Sequence, residues 1–329
     1  MCLELRYLAR GNQEFWNANR ISSLWARLIL HYWVAAIQED MRRPRSPGDC
    51  YVPDPVEYLQ RAYEQTIEAT GPPNDWQGTT TVCGAQLHYQ CTGQGGDSKP
   101  SAGSESGAPS GPGEASAAVP RGTDSVSPLL YVANLGDSQV MVVRPSARSI
   151  VFKTTEQWHW FDCPRQLGTN SPDTPRGNAT VDTVPIMEGD VVLAMTDGVI
   201  DNLWAHEIAE CVSDSVARWE AGEALGLKVR REDTEAAAVA RKGGRGGGMG
   251  FVAEELMEAA KAIALDPFAQ SPFMEHAIEE GLASEGGRFH FPSLASVEDS
   301  EGGCFTDLWL IGKLDDISVV AALCTRRGS

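Results

Sequence analysis

The chain has 329 residues, 42% of them hydrophobic, enough for one large domain or two small ones around a sizeable core. Its formal net charge is −18, from 45 Asp and Glu against 27 Lys and Arg, which argues against a general nucleic-acid binder and against docking on an anionic membrane. No apolar run approaches the roughly 18 residues a spanning helix needs, and the eight Cys are scattered without a zinc-type spacing, so reduced thiols in an intracellular compartment are expected.

In chain order, residues 1–23 show little periodicity and form an atypical N-terminus. A helix is predicted over Leu24–Asp40, with Leu24, Leu28, Trp33 and Ile37 among its apolar positions. Between Asn17 and Gln38 the chain carries Arg20 and Arg27 and no acid, a faint presequence character weakened by Glu4 and Glu14. A second helix is well marked: Asp54 caps it, Pro55 takes its first position and Glu57 completes a capping-box-like pattern. Val56, Leu59, Tyr63 and Ile67 line one face of it.

β-type segments follow at 77–87, 129–134 and 139–143, the last two joined by the tight turn Leu135-Gly136-Asp137-Ser138 and read as a hairpin. Asp137 in that turn has a structural reading, its side chain bonding nearby backbone. Residues 93–127 are rich in Gly, Ser, Ala and Pro and cannot bury enough surface to offset chain entropy. They read as a disordered insertion within a single domain spanning 1–329.

A short strand at 150–154 leads to three aromatics around His159, for which a packed loop with a hydrogen-bonded histidine is the preferred reading over a binding site. His159 and Cys163 lack the second pair a zinc site needs. Helices are predicted over 205–219, over 252–265 and from the Ser271-Pro272 start. The Gly/Arg-rich stretch 229–250 reads as a flexible loop.

Two stretches organise the rest. Val191–Met195 is an apolar strand, buried on both faces by its pattern, that ends abruptly in Thr196-Asp197-Gly198. A carboxylate fixed at a strand end, beside a glycine that lets backbone come close, mounts a hard metal ion well. Far downstream, Gly312-Lys313-Leu314-Asp315-Asp316 runs straight into the apolar strand 317–323. Adjacent Asp residues repel unless water or a cation stabilises them. If the two strands are antiparallel neighbours, Asp197 and Asp315 meet at one sheet edge, where converging carboxylates suit Mg²⁺ or Mn²⁺.

With these pieces in order, the chain resembles the type 2C, metal-dependent (PPM) protein serine/threonine phosphatases. The resemblance rests on TDGVIDNL at 196–203, ANLGDS at 133–138, GTTT at 78–81 and GKLDDISVV at 312–320, and covers roughly Leu24 to Cys324. EQWHWFDCPRQL at 156–167 and SPFMEHA at 271–277 are similar to the mitochondrial-type subgroup. The resemblance implies an α+β fold, a four-layer α-β-β-α sandwich of two antiparallel sheets flanked by helices. It also implies hydrolysis of phosphoserine and phosphothreonine by a water activated between two Mn²⁺ or Mg²⁺ ions, with Asp197 and Asp315 as metal ligands and Asp316 as a residue that supports them. A phosphoprotein substrate, no nucleic-acid or membrane partner, a monomeric state and a mitochondrial address are the accompanying expectations.

One departure stands out. The family's early strand ending in Ala-Asp-Gly, whose Asp bridges the two metals, has no counterpart: the only Asp-Gly here is Asp197-Gly198, and no Asp precedes Leu24. The phosphate-binding Arg is not identifiable. The fold is therefore expected to be incomplete at its N-terminus, to hold fewer than two ions well, and as it stands to turn over little or nothing. The alternatives are a segment missing ahead of the start, or a pseudophosphatase that kept the fold as a regulatory binding protein.

Overall fold

The computed structural model describes residues 3–11, 22–46, 51–91, 126–221, 248–266, 268–281 and 317–326. Two antiparallel sheets carry the fold. The first contains β1 (Leu3–Gly11), β5 (Gln139–Arg144), β6 (Ser149–Lys153), β11 (Val191–Met195) and β12 (Ser318–Arg326), in the order β1-β12-β11-β5-β6. The second places β4 (Val126–Leu135) between β3 (Val82–Cys91) and β10 (Thr180–Pro185). Two short ribbons accompany them: β2 (Thr79–Thr80) with β9 (Leu167–Gly168), and β7 (Trp158–Trp160) with β8 (Cys163–Pro164).

The strand alternation sorts side chains into layers. Leu130 and Val132 of β4, Val140 and Val142 of β5, Val192 of β11 and Ala322 and Cys324 of β12 meet between the two sheets. The opposite faces of the same strands go to helices. Met141, Val143, Val191, Leu193, Met195, Val319 and Ala321 pack under α5 (Ala205–Ala221) and α6 (Met249–Leu265). Ala133 and Leu135 pack under α1 (Ser22–Arg42) and α2 (Pro55–Thr70). The result is the expected α+β sandwich, helices outside and sheets inside.

Local signals explain most elements. Asp54 caps α2 by accepting the Glu57 N–H at 3.0 Å, with Pro55 in the first turn. Ser271 caps α7 (Pro272–Glu279), accepting the Met274 N–H at 3.4 Å. On α2 Leu59 and Tyr63 are buried, while Ile67, assigned to the same face, is exposed. The buried face of α1 is Trp25, Ile29, Trp33 and Ala36, rotated from the expected Leu24 and Leu28, which are only half-buried. Shape decides this: the two indoles fill the space over the smaller sheet, and the glycines facing them leave that space open. A Cβ on Gly78 would stand 2.5 Å from Trp25, and one on Gly84 2.8 Å from Trp33.

Three expectations are corrected. First, β4 and β5 do not form a hairpin. β4 is a central strand, already paired on both sides by β3 and β10, so the Gly136-Asp137-Ser138 turn carries the chain from one sheet to the other. Gly136 sits at φ +110° against the Arg165 carbonyl and Thr81, where only glycine fits. Second, the N-terminus is not without a strand. Leu3, Leu5, Tyr7 and Ala9 alternate with Glu4, Arg6, Leu8 and Arg10, and this segment pairs antiparallel with β12 as the sheet's edge. Third, element boundaries cut into the loops: β4 begins at Val126 and α6 at Met249, inside the stretches assigned to 93–127 and 229–250. Residues 93–125 and 229–247 lie outside the described residues.

Candidate metal centre

The candidate site forms where three strands of the larger sheet end together. β11 runs antiparallel to β12 with Met195 opposite Val319, and β1 runs antiparallel to β12 with Gly11 opposite Ser318. Three hydrogen bonds between Thr196 and Ser318 bind the β11 and β12 ends: the Thr196 N–H and hydroxyl donate to the Ser318 carbonyl at 3.2 and 3.5 Å, and the Ser318 N–H donates to the Thr196 hydroxyl at 2.9 Å. The strand that Asp315 and Asp316 lead into therefore begins beside Asp197. Asp315 and Asp316 themselves lie outside the described residues, as do residues 12–21 that follow Gly11.

Asp197 opens the one-turn helix α4 (Asp197–Ile200), with Thr196 at its N-cap position. Its Oδ1 accepts the Gly198 N–H at 2.9 Å, and the side chain is half-buried. Asp201 follows one helical turn later, so both carboxylates share a side of this turn. Asp201 is 4% exposed, and its backbone carbonyl accepts the Phe273 N–H at 3.0 Å, which seats the start of α7 on the site.

A third acid arrives from β6. Gln139 of β5 stands opposite Met195, and the Thr154 N–H bonds to the Val140 carbonyl at 2.9 Å, so the chain leaving β6 passes the end of β11. This brings in Glu156. Burial pushes its carboxyl above the usual range, His276 and Lys153 oppose the rise, and the charge of Asp197 adds to it. Neither Glu156 nor Asp201 had a site role from sequence. For Asp201 the signal was present in the i, i+4 spacing from Asp197. For Glu156 there was none, because its approach depends on β5–β6 and β5–β11 pairing.

The oxygen donors Asp197, Asp201 and Glu156 suit a hard cation such as Mg²⁺ or Mn²⁺. Among the described residues, no three His, Cys, Asp or Glu side chains converge closely enough to hold an ion by themselves. In sequence, Asp315 and Asp316 are the acids that directly precede the β12 side of the junction.

Asp137 lies at the same end of the larger sheet, two residues before the Gln139 that stands opposite Met195, and is buried in the turn between β4 and β5. Around it Asn134 Nδ2 donates to the Gly136 carbonyl at 3.2 Å, and the Thr81 and Ser138 hydroxyls meet at 2.7 Å. Burial, with the Asp137 charge adding, pushes the nearby Cys83 thiol up to about 12, so this cysteine is an inert filler. His159 is hydrogen-bonded as expected, its Nε2 2.8 Å from Asp173 Oδ2, but it sits exposed on strand β7 and not in a packed loop. Asp173 also accepts from Arg165 at 3.1 Å and from the Gln166 N–H at 3.0 Å, locking the loop under the β7–β8 ribbon.

No family model matches the chain. A relative from Oryza sativa subsp. japonica, described as probable protein phosphatase 2C 1, is 35% identical over 107 residues, 32% of this chain and 32% of that one. The human protein phosphatase PTC7 homolog is 28% identical over 173 residues, 50% of this chain and 47% of its own length. The X-ray structure of the photosystem II phosphatase PBCP matches with a TM-score of 0.54 at 18% identity, covering 98% of this chain and 96% of that one. That match shows a shared fold. Sandwich, motif order and relatives point the same way: the chain is similar to the type 2C protein phosphatases. PTC7 homologs from human, Xenopus laevis and Drosophila pseudoobscura pseudoobscura are among the relatives it is similar to. The chain spans about a third to a half of the length of the curated relatives it matches.

Proposed function

We propose that this chain carries the catalytic fold of a protein serine/threonine phosphatase that hydrolyses phosphoserine and phosphothreonine with a metal-activated water. Asp197 and Asp315 would hold Mn²⁺ or Mg²⁺, Asp316 would support them, and Glu156 and Asp201 would extend the acidic wall. The observation that carries this reading is the β11–β12 register, which starts the strand behind Asp315-Asp316 beside the Asp197 turn. A divalent ion bound there supplies a water whose pKa falls toward about neutrality and a positive charge for the phosphate. The chain's own part is to position. Thr196 and Ser318 clamp the two junctions, α4 fixes the Asp197 carboxylate through the Gly198 N–H, and Phe273 anchors α7 against the Asp201 turn. A phosphoprotein partner, a monomeric state and a mitochondrial address belong to the same proposal and rest on the subgroup resemblance.

The test is hydrolysis of a phosphothreonine peptide with and without Mn²⁺. Where Mn²⁺-dependent turnover is found, Asp197→Asn is predicted to reduce it by at least about a hundredfold without unfolding the protein. Turnover that survives both a chelator and that substitution contradicts the metal assignment. Tight phosphopeptide binding without turnover would instead mark a fold kept for recognition.

A further inference from the structure

Next to the Asp197 junction lies a cleft of about 320 Å³. One wall is the β7–β8 ribbon with Trp158, Trp160 and Phe161, and the other is the C-terminal end of α7 with Glu279 and Glu280. Glu156 closes the end nearest Asp197. The aromatic wall is built firmly. Phe161 packs on Phe273 of α7 with ring centroids 5.4 Å apart, Trp158 packs on Phe161 at 6.2 Å, and Asp173 holds His159 behind Trp160.

The lining is one-sided in charge. Among the described residues the lining has three carboxylates and no lysine or arginine, and its remaining titratable groups are His159 and His276. Lys153 lines an adjoining depression that shares Glu156 with the cleft. Glu279 and Glu280 are exposed, and Trp160 is 70% exposed, a large cost in solvated apolar surface for a residue on a rigid ribbon. Indole faces flanked by carboxylates suit a cation: the ring quadrupole attracts it, and the carboxylates take its hydrogen bonds. A guanidinium fits best, because its flat face stacks on Trp while its edge donates to Glu.

We infer that this cleft receives an arginine or lysine side chain of the substrate peptide, so that the preferred phosphosites are those flanked by basic residues. The inference rests on the proposed phosphatase reading for the phosphoresidue itself, and on the cleft for the basic one. Because Glu156 belongs both to the cleft and to the surroundings of Asp197, the two side chains come from neighbouring positions of one extended segment, at about 3.3 Å per residue. The overall charge of −18 steers such peptides toward the protein.

The experiment uses the full chain with Mn²⁺ and two labelled phosphothreonine peptides. They are identical except that arginines on both sides of the phosphothreonine in one are citrullines in the other, which keeps shape and removes charge. Fluorescence anisotropy is expected to show the arginine peptide binding about tenfold tighter. E279Q/E280Q and, separately, Trp160→Ala are expected to bring that advantage below about threefold. Equal binding of the two peptides overturns the inference, as does an arginine advantage that both variants keep, since that would come from net charge alone. Hydrolysis of p-nitrophenyl phosphate, measured in parallel, separates the two readings. Discrimination without turnover upholds the cleft and sinks the enzyme, whereas turnover without discrimination does the reverse.

Discussion

At the scale of single residues, buried carboxylates with specific partners do most of the fixing. Asp190 is 1% exposed and closes the turn into β11, accepting Arg144 Nε at 2.8 Å and its terminal nitrogen at 3.0 Å, plus the Met187 N–H at 2.8 Å. Asp173 does the same for the aromatic ribbon. Burial by itself would raise its carboxyl, but the bonds from His159, the Gln166 N–H and Arg165 hold it below the ordinary 3.8. A depressed folded value means that the ionised form contributes stability at higher pH, and that this contribution is lost as pH falls below about 4 and through the folded value. Asp173→Asn is therefore predicted to cost about 2–4 kcal/mol at pH 7, in urea unfolding, and progressively less as the pH is lowered below 4. A cost independent of pH over that range would assign the loss to packing and not to charge.

Elements were legible wherever one residue determines a local geometry, and illegible wherever a partner strand determines it. The α2 cap could be read because Asp54, Pro55 and Glu57 act within a single turn. The buried strand Val191–Met195 could be read from its unbroken apolar run. The β4–β5 turn was misassigned because a tight glycine turn looks alike whether it closes a hairpin or crosses between sheets. What decides is that β3 and β10 already occupy both edges of β4, and that is information from distant chain. Gly136→Ala tests the corrected geometry. Its φ of +110° and the carbonyl 2.6 Å from the new Cβ predict a loss of about 2–3 kcal/mol. In a solvent-exposed two-residue hairpin the strain term would act alone, and a loss under about 1 kcal/mol would contradict the crossing. Likewise Gly78→Ala is predicted to destabilise α1 docking, since its Cβ meets the Trp25 indole that also donates to the Trp76 carbonyl at 3.3 Å. Protection of α1 amides from exchange should fall before that of β11, and equal loss at both would show that α1 is not the affected unit.

At the scale of the whole molecule, the sheet converts sequence distance into proximity. Thr196 and Ser318 are separated by 122 positions and joined by three hydrogen bonds across the β11–β12 seam. That two carboxylate junctions flank buried strands was legible; that the strands are adjacent required the sandwich. Glu156 was invisible from sequence because it reaches the site only through two strand pairings, and β1 was overlooked because an edge strand with Glu4, Arg6 and Arg10 carries a weak apolar signal.

The central claim is that this seam assembles a divalent-cation site from Asp197 and Asp315. Calorimetric titration of Mn²⁺ into the chain, Asp197→Asn and Asp315→Asn measures it without reference to turnover. The account predicts saturable binding by the parent chain that weakens at least about tenfold in each variant while the folded signal is kept. The same Mn²⁺ affinity in all three proteins would contradict it.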